Sequence, residues 1–195
     1  VGNRFDLALL RHRLRARPGS DPGHPAGCAA VALIISLDPE PSLLLIRRAE
    51  RAGDPWSGHV AFPGGRWEPG DATLVETAAR EAEEEVGIPR VELGDPIGTL
   101  GTVIPFGGVR TTLPVLPTVF EIPSPAPTRP NREVAATVWA PIRQILDPAS
   151  RGSYRHVSEG GAWTRLPSVM VEGMTVWGLT HRILWQFLEL GTASP

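Results

Sequence analysis

The sequence predicts an α/β sandwich, a sheet covered by helices on both faces. Three observations carry that expectation. Residues 28–37 (CAAVALIISL) and 42–49 (SLLLIRRA) are nearly continuous apolar runs, as strands buried on both sides require. Residues 74–86 have helical periodicity, with Leu74, Ala78 and Ala82 along one stripe. Residues 176–190 (VWGLTHRILWQFLEL) form a second helical pattern, with apolar Ile183, Leu184, Phe187 and Leu188.

The elements follow in order. Residues 5–18 (FDLALLRHRLRARP) turn basic after six residues and lack a signal-peptide core. They predict a short amphipathic helix with Phe5, Leu7, Leu9, Leu10 and Leu14 available for packing. A Gly/Pro loop ends at Gly27. The two apolar runs predict strands joined by the turn DPEP, and residues 50–71 read as loop apart from a short strand at 59–62. Thr73 and Glu76 fit a capping box before the acidic helix, with Asp71 an alternative N-cap. Gly87 supplies a left-handed stop and Pro89 prevents continuation. Residues 97–104, 112–122 and 133–140 predict strands, with a proline-rich loop at 124–131. Pro141 is expected at the first position of a short helix. Residues 154–157 and 166–173 are weaker strand segments. The expected organisation is one domain over 1–195, with an N-terminal helix and loop at 1–27 and a core at 28–190.

Composition narrows the function. The formal charge of −2 gives no overall attraction to nucleic acid or anionic membrane. No apolar run approaches the ~18 residues of a membrane span. The single Cys28 excludes an internal disulfide and a cysteine-rich zinc site. A reducing, cytoplasmic setting is expected. Cys28 borders an apolar run and reads as a buried structural thiol.

The acidic helix carries the chemistry. The stretch REAEEEVGI (80–88) crowds Glu81, Glu83, Glu84 and Glu85 into the last turns, where the helix dipole disfavours carboxylates. At about 100° per residue, Glu85 lies about 40° from Glu81, and Glu84 about 60° to the other side. Glu83 lies about 200° away. Three carboxylates are therefore able to converge, and converging carboxylates call for a cation. All-oxygen ligands favour Mg²⁺, Mn²⁺ or Ca²⁺. Upstream, FPGGRWEPGD leads from a strand into this helix, and Gly64 and Gly65 let the backbone approach a ligand or offer a carbonyl to a metal. The competing reading is a solvated acidic face and a tight turn.

These residues resemble the Nudix hydrolase signature G-x5-E-x7-R-E-U-x-E-E-x-G-U, U being aliphatic. Residues 80–88 fill its second half without a gap. Its first half departs: strict spacing places the signature Gly and Glu on Arg66 and Ala72, while a loop one residue longer places them on Gly65 and Asp71. The segment LLLIRRAE…GHVAFPGG resembles coenzyme A pyrophosphatase-like members, with Trp56 and His59 where that subgroup has His and Gln. PNREVAATVWAPI and VWGLTHRIL resemble its later segments.

The resemblance implies a Nudix-type α/β/α sandwich with a mixed sheet. It also implies hydrolysis of a nucleoside diphosphate derivative, coenzyme A or an acyl-CoA foremost, with Mg²⁺ or Mn²⁺. Glu81, Glu85, Glu84 and Gly65 are the candidate metal ligands. Glu84 and Glu81 are the candidate catalytic carboxylates, with Glu133 the alternative general base. Arg80 points away from the site's centre and is assigned, by resemblance, to salt-bridging and orienting the glutamates. Arg47, Arg48 and Arg51 are candidates for phosphate binding. His59, Gly64 and Gly65 are candidates for substrate contact, and Trp56 and Trp67 for stacking on adenine or for packing. His156 and His181 read as ordinary surface or hydrogen-bonded histidines. The alternatives are ADP-ribose, dinucleotide or nucleoside-triphosphate hydrolysis, and a non-catalytic Nudix-fold nucleotide-binding regulator. The expected partner is a small nucleotide, with a homodimer as a family-level expectation.

Overall fold

The computed structural model describes residues 4–16, 19, 25–53, 56–105, 113–157 and 161–193. In chain order the elements are α1 (Leu7–Ala16), β1 (Ala29–Ser36), β2 (Ser42–Arg48), β3 (Val60–Ala61), β4 (Gly64–Arg66) and α2 (Leu74–Val86). Next come α3 (Arg90–Leu93), β5 (Gly98–Thr99), β6 (Val115–Ile122), β7 (Val134–Pro141) and α4 (Ile142–Leu146). A 3-10 turn, Pro148–Ser150, leads into β8 (Arg151–Val157), β9 (Trp163–Val171), β10 (Met174–Trp177) and α5 (Gly178–Gly191).

Alternation along β1 and β2 explains why both runs are apolar throughout. Leu33, Ile35, Leu43 and Leu45 pack on the face shared with α1 and α5. Ala32, Ile34, Leu44 and Ile46 pack on the opposite face, against Leu74, Ala78, Ala82 and Val86 of α2. A sheet covered on both sides favours apolar side chains on both faces of its strands. Among the described residues seven strands form this sheet. It is mixed: β1 runs parallel to β6 over its whole length, while β2 is antiparallel to β1 and β7. This is the α/β/α sandwich the sequence predicts.

One irregularity in the sheet makes room for the site. β1 and β2 pair only at Ile35–Leu43 and Ser36–Ser42, then splay apart. β3 and β4 fill the wedge. β3 pairs with β2 through Ile46–Ala61 and Arg47–Val60, and β4 pairs with β1 through Val31–Gly64 and Ala29–Arg66. The Pro63 carbonyl between them accepts from the Ala32 N–H at 2.8 Å. Glycine is required at 64, because a Cβ there would strike the Ala30 carbonyl and Val31.

Several boundaries differ from the sequence reading. Thr73 is the N-cap of α2, its hydroxyl accepting from the Glu76 N–H at 3.1 Å. Glu76 reaches back to the Ala72 N–H at 2.8 Å, one residue before the position a capping box would use. Pro141 ends β7 in register with Ser42 and is the N-cap of α4, not its first residue. Val176 and Trp177 belong to β10, so the closing helix begins at Gly178. The two weak strand segments belong to a separate three-stranded sheet ordered β10-β9-β8. The N-terminal helix joins the core: Leu10 and Leu14 are buried, and the Phe5 ring stacks on Phe187 at 5.5 Å.

Gly87 ends α2 at φ +71°, its N–H bonding the Glu83 carbonyl at 3.0 Å. The proline-rich loop caps the same end, with the Arg129 and Asn131 N–H groups reaching the Val86 and Glu85 carbonyls at 2.7 and 3.0 Å. The carbonyls of Glu83, Glu85 and Val86 in the acidic last turn are thus satisfied. A Cβ on Gly87 would also lie 2.9 Å from the Arg129 Cβ. Gly87→Ala should therefore lower stability by about 1–2 kcal/mol in urea unfolding. An unchanged midpoint would contradict this account of the helix end.

Candidate active site

The site is built where α2 faces the β3–β4 wedge. Arg80 lies at its centre, only 8 % exposed. The resemblance assigns Arg80 to salt-bridging the glutamates, and the structure pairs it with Glu81 and Glu84. Contrary to the sequence reading, it does not point away from the site's centre but is wedged among four oxygen-bearing partners. Its Nε donates to Asp71 Oδ1 at 3.0 Å and one Nη2 hydrogen to Asp71 Oδ2 at 3.0 Å. The other Nη2 hydrogen reaches the Arg66 carbonyl at 3.0 Å. Nη1 donates to Glu81 Oε1 at 2.9 Å and Glu84 Oε2 at 3.0 Å. A guanidinium has five N–H donors, and these contacts use them all.

Asp71 is the buried counter-ion. It also accepts from the Thr77 hydroxyl at 2.9 Å and the Glu68 N–H at 3.2 Å. Burial pushes its carboxyl up, but the bonds from Arg80, Glu68 and Thr77 outweigh burial and hold it below the ordinary range. The hydrogen bond to Asp71 in turn raises the Arg80 guanidinium. The longer-loop register of the sequence motif is therefore the structural one: Asp71, not Ala72, meets the arginine.

Glu85 is 3 % exposed and accepts from the Gly64 N–H at 2.9 Å. Burial pushes its carboxyl up to about 7, against that bond; Glu81 and Glu133 add to the rise and Arg48 opposes it. Burial likewise raises the Glu81 carboxyl, and Arg80 only partly offsets this. The backbone of Gly65 lies directly against Glu81, since any Cβ on Gly65 would collide with that carboxylate. Glu84 sits on the outer side, 55 % exposed, held by Arg80. Glu83 is exposed and pairs with Arg90 at 3.3 Å, away from the other three.

This donor set fits a hard divalent cation. One saturated guanidinium stands among Asp71, Glu81, Glu84 and Glu85, and the two inner carboxyls bear the cost of ionising in a buried place. Glu81 and Glu85 carry hard carboxylate oxygens, the ligand type Mg²⁺ and Mn²⁺ take, and the Gly65 backbone lies against Glu81. Among the described residues no three acidic, imidazole or thiol side chains are already gathered as a closed ligand set.

The other sequence candidates distribute around this centre. Arg48 is half-buried and acts on Glu85, while Arg47 is exposed at the end of β2. Arg51 pairs with Glu133 at 3.2 Å, and its N–H bonds the Ser57 hydroxyl at 2.8 Å. Glu133 is fixed further by the Asn131 side chain, which accepts its N–H at 2.7 Å. Trp67 packs beside α2 and donates to the Asp71 carbonyl at 2.8 Å, whereas Trp56 is exposed. His59 lies edge-on to Trp177. His181 stacks on Trp185, and burial lowers its pKa. Cys28 is buried. Sequence reasoning missed Thr77, Asn131 and Trp177. Only the spacing Asp71–Thr77–Arg80, two helical turns after a loop acid, offered a signal for the first.

The raised carboxyls set a pH dependence. An unfolded chain releases the Glu85 proton near 4.5 and the folded chain near 7, so stability is lost as pH rises through that window. Asp71 acts with the opposite sign, but only below its ordinary 3.8. In EDTA, Tm should fall between pH 5 and 8, and Glu85→Gln should flatten the fall. A slope unchanged by Glu85→Gln would contradict the buried carboxyl.

Comparisons with known proteins show the family and the fold. A family model for the NUDIX domain matches residues 28–159. The uncharacterized Nudix hydrolase NudL of Yersinia enterocolitica is 37 % identical over 157 residues, covering 80 % of this chain and 77 % of that one. NudL of Yersinia pestis is also 37 % identical, covering 80 % of this chain and 75 % of its own. In fold, the crystal structure of a MutT/nudix family protein from Enterococcus faecalis matches with a TM-score of 0.55 at 14 % identity, over 94 % of this chain and 68 % of that one. No helix among the described residues is long and apolar enough to cross a membrane. The chain belongs to the Nudix hydrolase family, metal-dependent enzymes acting on nucleotide derivatives.

Proposed function

We propose that this Nudix hydrolase cleaves the pyrophosphate bond of a nucleoside diphosphate derivative, with coenzyme A or an acyl-CoA the foremost substrate. The observation that carries the reaction is Glu85, a buried carboxyl beside the Gly64–Gly65 turn whose burial pushes it up to about 7. Glu81, Glu85 and Gly65 would hold Mg²⁺ or Mn²⁺, with Glu84 adjoining. When bound, such a cation neutralises pyrophosphate charge and lowers the pKa of water.

The chain's own residues supply the rest. Asp71 fixes Arg80, and Arg80 holds Glu81 and Glu84 in place. Arg48, at the end of β2 and acting on Glu85, brings positive charge to the substrate phosphates, whereas Arg47 pairs with Val60 on the other face. Glu84 accepts the proton of the attacking water, which enters in line with the P–O–P bridge. Glu133 is the second reading for this base. It is close enough to raise the Glu85 carboxyl, and its loop is tied to the end of α2 through Asn131 and Arg129. The coenzyme A assignment rests on the segment LLLIRRAE…GHVAFPGG, which leads through β2 and β3 into the site.

The test is a substrate panel with Mg²⁺ or Mn²⁺: coenzyme A, ADP-ribose, NADH and nucleoside triphosphates. Turnover should be metal-dependent and best on coenzyme A, roughly 100-fold or more slower in Glu85→Gln, and nearly unchanged in Glu83→Gln. Equal losses in the two variants would return the cluster to a solvated acidic face. Tight binding without turnover would favour a regulator.

A further inference from the structure

Trp177 gathers an aromatic cluster that the reaction does not use. Tyr154 of β8 stacks on it at 4.0 Å and 13°, His156 lies tilted at 5.3 Å, and His59 meets it edge-on at 4.6 Å and 67°. All four are only partly buried, so the cluster is no sealed core. Three of its members come from the small C-terminal sheet, and Trp177 lies beyond the stretch matched by the NUDIX model.

The cluster is fastened to the site through β3. The Thr180 hydroxyl, three residues after Trp177, donates to the Val60 carbonyl at 2.9 Å. The His59 carbonyl accepts from the Arg48 N–H at 2.9 Å, and Arg48 acts on Glu85. His59 is five residues before Gly64, so at most about 18 Å of extended chain separates them. A partly open group of indole, phenol and two imidazoles offers ring surface together with ring N–H donors and acceptors. That is the chemistry that recognises a nucleobase.

We propose that Trp177, Tyr154 and His156 form a wall that receives the purine base of the substrate and holds the His59 imidazole in position beside it. Resting on the nucleoside diphosphate reading above, it names where the base goes. The sequence pointed to Trp67 and Trp56 for stacking, but Trp67 is committed to the Asp71 loop.

The test compares a ligand with a base and one without. Binding of ADP and of inorganic pyrophosphate is measured by calorimetry with Mg²⁺ present, for wild type, Trp177→Ala, Trp177→Phe and His59→Ala. Trp177→Ala should weaken ADP roughly tenfold and leave pyrophosphate unchanged, with Trp177→Phe between. His59→Ala should add less in the Trp177→Ala background than in wild type. Equal weakening of both ligands, or no change in ADP binding by the correctly folded Trp177→Phe and Trp177→Ala proteins, would overturn the wall. Because ADP is common to coenzyme A and ADP-ribose, failure of coenzyme A turnover would leave this result standing on its own.

Discussion

The site depends on one interaction, the buried ion pair between Arg80 and Asp71. A guanidinium this buried needs every donor satisfied, and Arg80 achieves it with two bonds to Asp71, one to the Arg66 carbonyl and one each to Glu81 and Glu84. Asp71 in turn locks the loop entering α2 through Thr77 and Glu68. Removing Arg80 would leave Asp71 as an uncompensated charge in the interior, a loss of about 3–5 kcal/mol. The pair therefore joins stability to function. It sets the loop, aims the arginine, and leaves Glu81 and Glu85 short of positive charge.

The sheet supplies the second constraint. Because β1 and β2 separate after two residue pairs, a short wedge strand can bring Gly64 and Gly65 to the α2 carboxylates. Only glycine serves at 64, where the backbone of β1 is in contact; at 65 a side chain would displace the Glu81 carboxylate. The proline-rich loop closes the other end by satisfying the last carbonyls of α2. Glu133 is thus carried on a fastened segment rather than on a free loop. An acidic last turn, unfavourable for an isolated helix, is held by neighbours that cap it and by charges that surround it.

Much of this was legible because helical angles are rigid. The separation of Glu83 from Glu81 and Glu85 follows from 100° per residue, and the structure places Glu83 on Arg90 instead. The two-faced strands were legible from unbroken apolar runs. Angles alone could not show which way a long arginine bends: the salt bridges to the glutamates came from the motif, and the structure adds the bidentate pairing with Asp71. The choice between Ala72 and Asp71 depended on loop length, which a spacing motif does not fix. Trp177 was hidden for another reason: its neighbours His59, Tyr154 and His156 are distant in sequence and meet only through sheet packing.

The central claim is that the Asp71–Arg80 pair keeps Glu81 and Glu85 available to a cation. Its most direct measurement is a Mn²⁺ titration followed by electron paramagnetic resonance on wild type and Asp71→Asn. Asp71 need not touch the metal. Its loss leaves Glu81 and Glu84 as the remaining counter-ions of Arg80, in competition with a cation, so Mn²⁺ affinity should fall by roughly tenfold or more in a protein that remains folded. Unchanged Mn²⁺ affinity in folded Asp71→Asn would contradict the account.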